Sequence, residues 1–205
     1  MGKTDSSRRW LHRQHADRYV KQARELGYRS RAVFKLQEID HRYGLFRSGM
    51  VVVDLGAAPG GWSQYAANQT GNDGRVIAVD MLTIVPLPGV EYLQGDFRED
   101  SVLRELLDTL GESQVDLVIS DMAPNISGIS TIDQPRALYL AELAMELARD
   151  ILQPGGDLVV KLFQGQGYDV FVSQARESFN IVRLVKPKAS RQRSREIYLL
   201  GRIRK

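Results

Sequence analysis

The stretch VVVDLGAAPGGW, at positions 51–62, is the strongest indication of the fold in this sequence. Its first five residues are too apolar for a strand with one face in water, so we expect a central strand in a parallel sheet. Gly56, Gly60 and Gly61 then form a turn whose backbone can approach a ligand closely, and a helix follows. A strand, a glycine turn and a helix in this order predict the first unit of a doubly wound nucleotide-binding sheet.

The residues around this turn bear on which ligand it binds. A dinucleotide site carries G-x-G-x-x-G beside the pyrophosphate, but Ala58 stands at the second glycine position here. S-adenosylmethionine has no pyrophosphate, and its site has an acid at the end of the next strand for the ribose hydroxyls. Asp80 ends the predicted strand RVIAVD, and Asp96 closes a third strand, where it can face the adenine amino group. NAD enzymes also use an acid like Asp80, so S-adenosylmethionine is favoured, with NAD or a turn without a ligand as the alternatives.

Two further polar residues interrupt or end apolar strands. Asp121 follows VDLVIS, and open α/β sheets bind their ligands at the carboxyl ends of such strands. Lys161 lies inside DLVVKLF, at 157–163, where a lysine is costly unless its charge is paired or its pKa falls. The apolar neighbours of Lys161 argue against a solvent-exposed edge strand. We therefore interpret both residues as functional.

The segments on either side of these strands complete the predicted fold. SRAVFKLQEIDHRYGLF predicts a helix with Ser30 as its N-cap and Gly44 as its C-terminal stop. Lys35 lies between apolar residues of that helix, for which a snorkelling side chain is the usual explanation. EIYLLG, at 196–201, predicts a last strand that is antiparallel and at the end of the sheet.

Length and composition limit the class of protein. A chain of 205 residues is sufficient for one domain with a single core. The absence of cysteine excludes a disulfide framework and a cysteine-based zinc site, and we expect no metal. The first 20 residues lack the apolar core of a signal peptide, and no apolar run reaches membrane-spanning length. We therefore expect a soluble, cytoplasmic protein and predict a monomer.

Charge is distributed unevenly along the chain. Residues 1–49 carry 12 Lys/Arg and 5 Asp/Glu, and residues 183–205 carry 9 Lys/Arg and 1 Asp/Glu, whereas residues 50–182 have a net charge of −12. Clustered basic residues indicate contacts with a phosphate backbone. Trp10 and Tyr19 are interleaved with the arginines of the N-terminal segment, which suits stacking on bases. Termini that are simply solvated are the alternative.

Four separate segments carry a resemblance to a known family. They are DLGAAPGGWSQ at 54–64, SDMAPN at 120–125, PGGDLVVKLFQG at 154–165 and SREIYLLG at 194–201. Together they resemble the FtsJ/RrmJ family of RNA 2′-O-methyltransferases. The resemblance implies a doubly wound, Rossmann-like α/β fold with a mostly parallel seven-stranded sheet and an antiparallel C-terminal strand. It also implies a basic N-terminal arm, residues 1–29, and a single methyltransferase domain, residues 30–205.

The same resemblance implies site residues. The family's K-D-K-E tetrad matches Lys35, Asp121, Lys161 and Glu196, which makes these the predicted catalytic residues. The predicted cofactor-binding positions for S-adenosylmethionine are Gly60, Trp62, Asp80, Asp96 and Asp121. We expect Lys161 to act on the acceptor hydroxyl, either as general base or as a group that shares its proton and orients it. Asp121 would hold Lys161 and the methionine amino group, and Lys35 and Glu196 would set the hydroxyl and the ammonium in place.

The bacterial members of this family methylate the ribose of a uridine in the A-loop of 23S rRNA, which supports assembly of the large ribosomal subunit. The resemblance therefore implies that activity here, with 23S rRNA as the partner. Other members act on tRNA or on messenger caps, and the tetrad does not distinguish between these substrates. A non-catalytic RNA-binding factor for ribosome assembly is a further alternative.

Overall fold

The computed structural model describes residues 18–125, 127–191 and 194–205. Its helices are α1 (Arg18–Glu25), α2 (Val33–Tyr43), α3 (Gly61–Thr70), α4 (Asp100–Leu110), α5 (Ser130–Ile151) and α6 (Tyr168–Ser178). Its strands are β1 (Val51–Leu55), β2 (Arg75–Asp80), β3 (Val90–Gln94), β4 (Val115–Ser120), β5 (Leu152–Phe163), β6 (Phe179–Val185) and β7 (Glu196–Arg204). None of the described helices is long and apolar enough to cross a membrane.

The strands form one seven-stranded sheet in the order β3-β2-β1-β4-β5-β7-β6. β1 is central and pairs in parallel with β2 and β4, and β4 pairs in parallel with β5. β7 pairs antiparallel with both of its neighbours, β5 and β6, and so runs opposite to the other six described strands. The predicted fold class is therefore confirmed. The strand order reverses between β1 and β4, and such a switch point opens a crevice for ligands at the carboxyl ends of the strands.

The prediction that the last strand lies at the end of the sheet is wrong. β7 is inserted between β5 and β6, and β6 forms the edge. Ile197, Tyr198, Leu199 and Leu200 are all buried, as befits a strand covered on both faces, whereas most of β6 is exposed. The consequence is functional, because an edge position would hold Glu196 about 4.8 Å further from β5.

Helices cover both faces of the sheet. α2 and α3 pack on the face that includes Val52 and Val159, whereas α4, α5 and α6 pack on the opposite face. Side chains alternate between the two faces of a strand. Asp54 in β1, Lys161 in β5 and Tyr198 in β7 therefore lie on the α2 and α3 side, at the same end of the sheet as the crevice.

Helix α2, which carries Lys35, begins later than predicted. Ser30 is not its N-cap, because the chain first makes a tight turn in which the Ala32 amide donates to Ser30 Oγ at 3.1 Å. The helix then starts at Val33, with Ala32 at the cap position. Gly44 ends the helix as predicted, in a left-handed conformation, and its amide donates to the Asp40 carbonyl at 2.7 Å.

Candidate active site

Four elements bring the four predicted catalytic residues together. Lys35 comes from the first turn of α2, Asp121 directly follows β4, Lys161 lies in β5 and Glu196 begins β7. All four side chains are largely buried, with exposed fractions between 7% and 17%. Two lysines and two carboxylates thus share a small volume at the carboxyl ends of β4 and β5, so their formal charges balance.

Asp121 is the centre of this cluster. Lys161 Nζ lies 2.8 Å from Asp121 Oδ1 and donates a second hydrogen bond of 2.8 Å to the Asp121 backbone carbonyl. Lys35 Nζ lies 3.6 Å from Oδ2 of the same carboxylate. Burial raises the pKa of Asp121, but the charges of Lys161 and Lys35 outweigh it, so the pKa of Asp121 lies below its ordinary value. Asp121 is therefore ionised at neutral pH and fixes the Lys161 ammonium at two points.

Lys35 and Glu196 form the second pair. Lys35 Nζ lies 2.9 Å from Glu196 Oε1. The same Glu196 oxygen accepts a hydrogen bond of 2.8 Å from Ser190 Oγ, which is itself buried. Glu196 is thus oriented from two sides, by a lysine of α2 and by a serine of the linker between β6 and β7.

Tyr198 is a site residue that the sequence analysis did not identify. Lys35 Nζ donates to its hydroxyl at 2.9 Å, and the hydroxyl donates in turn to Asp121 Oδ1. Tyr198 is fully buried, and burial first, with the charges of Asp121 and Glu196 second, raises its pKa well above the ordinary value. It therefore remains a neutral donor. Its spacing of two from Glu196 places both side chains on one face of β7, a signal that could have identified it.

The glycine turn leads directly into α3. Gly60 has φ 101°, and a Cβ there would approach Leu87 Cδ1 to 3.0 Å and the Arg29 guanidinium to 3.3 Å, so a larger residue would not fit without movement. Gly60, at the cap position of α3, makes no side-chain hydrogen bond to the helix, and the Ser63 amide in the first turn is bonded to the buried Asp54 carboxylate. Among the described residues, the amides of Gly61 and Trp62 have no side-chain acceptor.

Trp62 lies in the first turn of α3, but its indole does not face the crevice. The ring is 3% exposed, donates from Nε1 to the Ala32 carbonyl at 2.8 Å and packs 5.7 Å from the Tyr198 ring. The binding of the cofactor by Trp62 stays a prediction. The Trp62 side chain connects the glycine turn to α2 and to the tetrad.

The two predicted strand-end acids are already engaged in hydrogen bonds. Asp80 accepts from the amides of Ala58 and Leu82, at 2.8 Å each. Asp96 lies just after β3, and the Arg98 guanidinium binds both of its oxygens and lowers its pKa. A carboxylate has about four lone-pair sites, so Asp80 retains acceptor capacity for a ligand. Asp96 also accepts from the Arg98 amide, so a ligand there would share its oxygens with Arg98.

Asp54 adds a third carboxylate that the sequence analysis did not assign to the site. It is 1% exposed at the end of β1, and Ser63 Oγ donates to it at 2.6 Å. Burial, followed by the nearby charges of Asp121 and Asp80, raises its pKa to about 7. Three acids on adjacent strands therefore make this end of the crevice favourable for a cationic group. A carboxylate within an otherwise apolar strand was the available signal.

Arg29 connects the segments at the rim of the crevice through hydrogen bonds. Its guanidinium donates to two carbonyls in the loop after β2, that of Val85 and, at 2.9 Å, that of Pro86. It also donates to the Pro59 carbonyl in the glycine turn at 3.4 Å. Its backbone amide donates to Gln64 of α3 at 3.2 Å. One residue thus connects the glycine turn, its helix and the opposite loop. Its guanidinium partners are 30 to 57 positions away, so no local pattern predicts this role.

Comparisons with known proteins agree with this geometry. The profile of the FtsJ-like methyltransferase family matches residues 28–204. The chain is similar to proteins named ribosomal RNA large subunit methyltransferase E. One, from Legionella pneumophila (strain Corby), is 54% identical over 98% of both chains. Another, from Hydrogenovibrio crunogenus, is 54% identical over the full length of both.

Solved structures give the same result for the fold. A protein of Plasmodium falciparum assigned as a ribosomal RNA methyltransferase superposes with a TM-score of 0.78 at 28% identity, covering 86% of this chain and 98% of its own. A protein of Lactococcus lactis assigned as a hemolysin reaches a TM-score of 0.59 at 16% identity, covering 87% of this chain and 89% of its own. The second likeness concerns the fold alone.

Proposed function

The chain belongs to the family of FtsJ-like methyltransferases, and from this premise we propose that it is a ribosomal RNA methyltransferase of the large subunit. We propose that it transfers a methyl group from S-adenosylmethionine to the ribose 2′-hydroxyl of a uridine in the A-loop of 23S rRNA. Because its substrate is ribosomal RNA, we propose that it acts in the cytoplasm, and that it does so as a monomer. The relatives named above, similar over the whole chain, support the choice of rRNA.

The observation that carries this proposal is the convergence of Lys35, Asp121, Lys161 and Glu196 on one point. Burying four charged groups is costly unless they are paired and hydrogen-bonded. Here every one of them is paired. An arrangement of this kind at the carboxyl end of a central strand has a clear chemical use, since it can hold a hydroxyl and manage its proton.

The residues of the crevice support S-adenosylmethionine as the cofactor. That cofactor supplies, when bound, a methyl group carried on a positively charged sulfur. Gly60 and the amides of Gly61 and Trp62 would receive its methionine carboxylate, and Asp121 its amino group. Asp80 would accept from the ribose hydroxyls and Asp96 from the adenine amine. The excess of carboxylates at β1, β2 and β4 supports a cationic ligand. The absence of a side chain at Gly60 keeps the backbone beside Leu87 and Arg29 open to it.

In this mechanism Lys161 acts on the acceptor side. A ribose hydroxyl is a weak nucleophile until its proton is removed or shared, and exact alignment contributes much of the rate of a displacement. Asp121 fixes Lys161 Nζ through two hydrogen bonds. As an ammonium, Lys161 would donate to the hydroxyl oxygen and orient it, and as a neutral amine it would take the hydroxyl proton as the methyl group is transferred. Lys35, held by Glu196, provides a second cation that stabilises a developing oxyanion.

The basic ends of the chain are proposed to bind the RNA backbone through phosphate contacts from residues 1–49 and 183–205. In the described part of the chain both regions reach the tetrad: Lys35 belongs to the first, and Ser190 and Glu196 belong to the second. The acidic remainder would repel RNA from the other surfaces. Arg8, Arg9 and Arg13 lie outside the described residues, so their part in RNA binding remains a prediction.

The proposal is tested by incubating the purified protein with radiolabelled S-adenosylmethionine and one RNA substrate. Separate reactions contain 23S rRNA, large ribosomal subunits or tRNA. Methylated nucleosides are then identified by mass spectrometry. We expect 2′-O-methyluridine in the A-loop of the ribosomal substrates. Methylation of tRNA alone would establish a tRNA ribose methyltransferase instead. Tight RNA binding without methyl transfer to any of these RNAs would identify a non-catalytic assembly factor.

A further inference from the structure

Phe163 is an aromatic residue next to the tetrad. It is the last residue of β5, and it pairs with Glu196, the first residue of β7. Side chains two positions apart on a strand point to the same face of the sheet, so Phe163 lies on the face that carries Lys161. It stands about 7 Å further along the strand than Lys161, toward the carboxyl end where ligands bind.

The pairing of Phe163 with Glu196 brings their two side chains close together. The amide of the next residue, Gln164, donates to the Arg195 carbonyl at 3.1 Å, and the Glu196 amide donates to Ser194 Oγ at 3.1 Å. Phe163 and Glu196 therefore form a non-hydrogen-bonded pair of the ladder, the kind in which facing side chains are closest. An aromatic ring thus stands beside the carboxylate that orients Lys35.

The Phe163 ring is half-buried, but it is not part of the core. Within the described part of the chain, Phe163 belongs to none of the packed apolar clusters and to none of the aromatic ring pairs. The residue before it, Leu162, is by contrast buried in the core at 1% exposure. An isolated apolar side chain is ordinary on a protein surface, but its position directly beyond Lys161 gives this one a chemical use.

The other aromatic rings around the tetrad are already covered. Trp62 and Tyr198 are buried, and their rings pack on each other at 5.7 Å. On the outer side of α2, the Tyr19 ring packs on Phe34 and lies beside two guanidinium groups. Phe163 is therefore the ring that is placed to receive a base at the tetrad.

The proposed mechanism leaves a need for a second contact with the acceptor nucleotide. The tetrad reaches that nucleotide at its 2′-hydroxyl, and a ribose held at one oxygen can still rotate about it. Transfer of a methyl group in line requires a fixed orientation. The base is bonded to the carbon next to the one that carries the hydroxyl, so a base on Phe163 would fix the ribose at a second point. Proteins commonly hold unpaired RNA bases by stacking them on aromatic rings.

We propose that Phe163 stacks on the base of the acceptor nucleotide and so orients the ribose whose 2′-hydroxyl lies at Lys161. The inference rests on the proposed function, because it takes an RNA ribose as the acceptor. It adds a binding residue that the tetrad does not contain. Since every base has a π-face, Phe163 holds the base without distinguishing uridine from the other bases.

A double-mutant cycle on RNA binding tests this contact. The proteins are the full-length wild type and Phe163→Leu, which keeps an apolar side chain and removes the stacking face. The RNAs are synthetic A-loop hairpins with either uridine or an abasic ribonucleotide, which retains the 2′-hydroxyl, at the target position. Either change alone should raise the Kd of the hairpin by about tenfold, and the two together should raise it no further. The Kd for S-adenosylmethionine should stay within about twofold.

The same contact should affect catalysis. Phe163→Leu should lower kcat/KM by about tenfold or more for the ribosomal substrate that the wild type methylates. Phe163→Tyr keeps the ring and should retain the wild-type value. Leu107→Ala is the matched control, because it removes an exposed apolar side chain of α4 and should change neither kcat/KM nor the Kd of the hairpin. Melting temperatures check folding, and Phe163→Met takes the place of Phe163→Leu if the leucine variant is unstable.

Several results would overturn the inference. The first is a cycle in which the two effects on the Kd add, and the second is a wild-type Kd and kcat/KM in Phe163→Leu. Coupling of Phe163 to an abasic ribonucleotide one position before or after the target would place a neighbouring base on the ring instead. A wild-type protein that binds the hairpin and methylates no ribosomal substrate would contradict the proposed function, and the cycle would still decide whether Phe163 contacts the base.

Discussion

Lys161 and Tyr198 are directly opposite each other in the antiparallel pairing of β5 and β7, and both donate to the same oxygen, Oδ1 of Asp121. The register of two strands therefore fixes two donors on one acceptor. Catalytic groups on strands are held more rigidly than groups on loops. The insertion of β7 beside β5 thus assembles the proposed acceptor side of the site.

Lys161→Ala is expected to abolish methyl transfer, with a loss of at least about 100-fold in kcat, the low end of what a positioned proton-transfer group contributes. The Kd for S-adenosylmethionine should stay within about twofold, because Asp121 keeps Lys35 and Tyr198 as partners and a twofold change is only about 0.4 kcal/mol. Single-turnover assays and calorimetric titration measure the two quantities. Lys161→Met fills the same space without a charge and should be as inactive as the alanine variant. Activity near wild type in either variant would show that another group handles the proton of the acceptor hydroxyl.

Tyr198→Phe removes the hydroxyl that connects Lys35 to Asp121 while keeping the ring packed on Trp62. We expect kcat to fall by roughly tenfold, since a hydrogen bond to a charged group is worth about 1.5–3 kcal/mol and part of it is replaced by the remaining ion pairs. The pH dependence of kcat should also shift, because Asp121 loses a donor.

Tyr65→Phe is the matched control for this variant. The Tyr65 hydroxyl donates to another buried carboxylate, Asp40, at 2.6 Å, and it lies away from the tetrad. Its loss should lower the melting temperature and leave kcat unchanged. If Tyr198→Phe showed the same behaviour, the hydroxyl would be a structural support only.

Much of the fold could be predicted because local signals and long-range packing agree in its first half. The apolar run of β1, the glycine turn and the start of α3 specify the same unit. The position of β7 was mispredicted, although its uninterrupted apolar run indicated a strand covered on both faces. The place of β7 at the end of the chain is not evidence for a place at the edge of the sheet.

The site was predictable only where a residue conflicts with its local surroundings. Lys161 and Asp121 stand out because a charge in or after an apolar strand needs an explanation. Tyr198 is compatible with an ordinary buried strand, so nothing distinguished it except its spacing from Glu196. Arg29 resembles the other arginines of the basic N-terminal segment, and its partners become neighbours only in the folded chain.

Arg29→Ala is expected to weaken S-adenosylmethionine binding by roughly tenfold, equivalent to about 1.4 kcal/mol. The guanidinium connects the loop at Val85 and Pro86 to the glycine turn, and its removal would let that wall of the crevice move. Calorimetric titration measures the effect. Arg29→Lys keeps the charge but loses the fork, so it should restore only part of the affinity. A change confined to the KM for RNA would mean that Arg29 binds phosphate instead.

Asp54→Asn should change how stability depends on pH. The pKa of Asp54 is raised from 3.8 to about 7, chiefly by burial. Between these two values the folded protein holds a proton that the unfolded chain has released, so the folded state loses stability as pH rises through this window. Asparagine has no such proton to lose. Relative to wild type, the free energy of unfolding of Asp54→Asn should therefore increase by up to about 4 kcal/mol between pH 4 and pH 8.

Urea denaturation of both proteins at several pH values measures this difference, because groups that do not interact with Asp54 contribute equally to both proteins. Asp108→Asn, which removes an exposed carboxylate of α4, controls for a change in net charge. S-adenosylmethionine should reduce the difference at pH 8, since a cation beside Asp54 favours its ionised form and offsets the cost of burying that charge. A difference between Asp54→Asn and wild type that stays constant from pH 4 to pH 8 would show that Asp54 ionises in the folded protein as readily as in the unfolded chain.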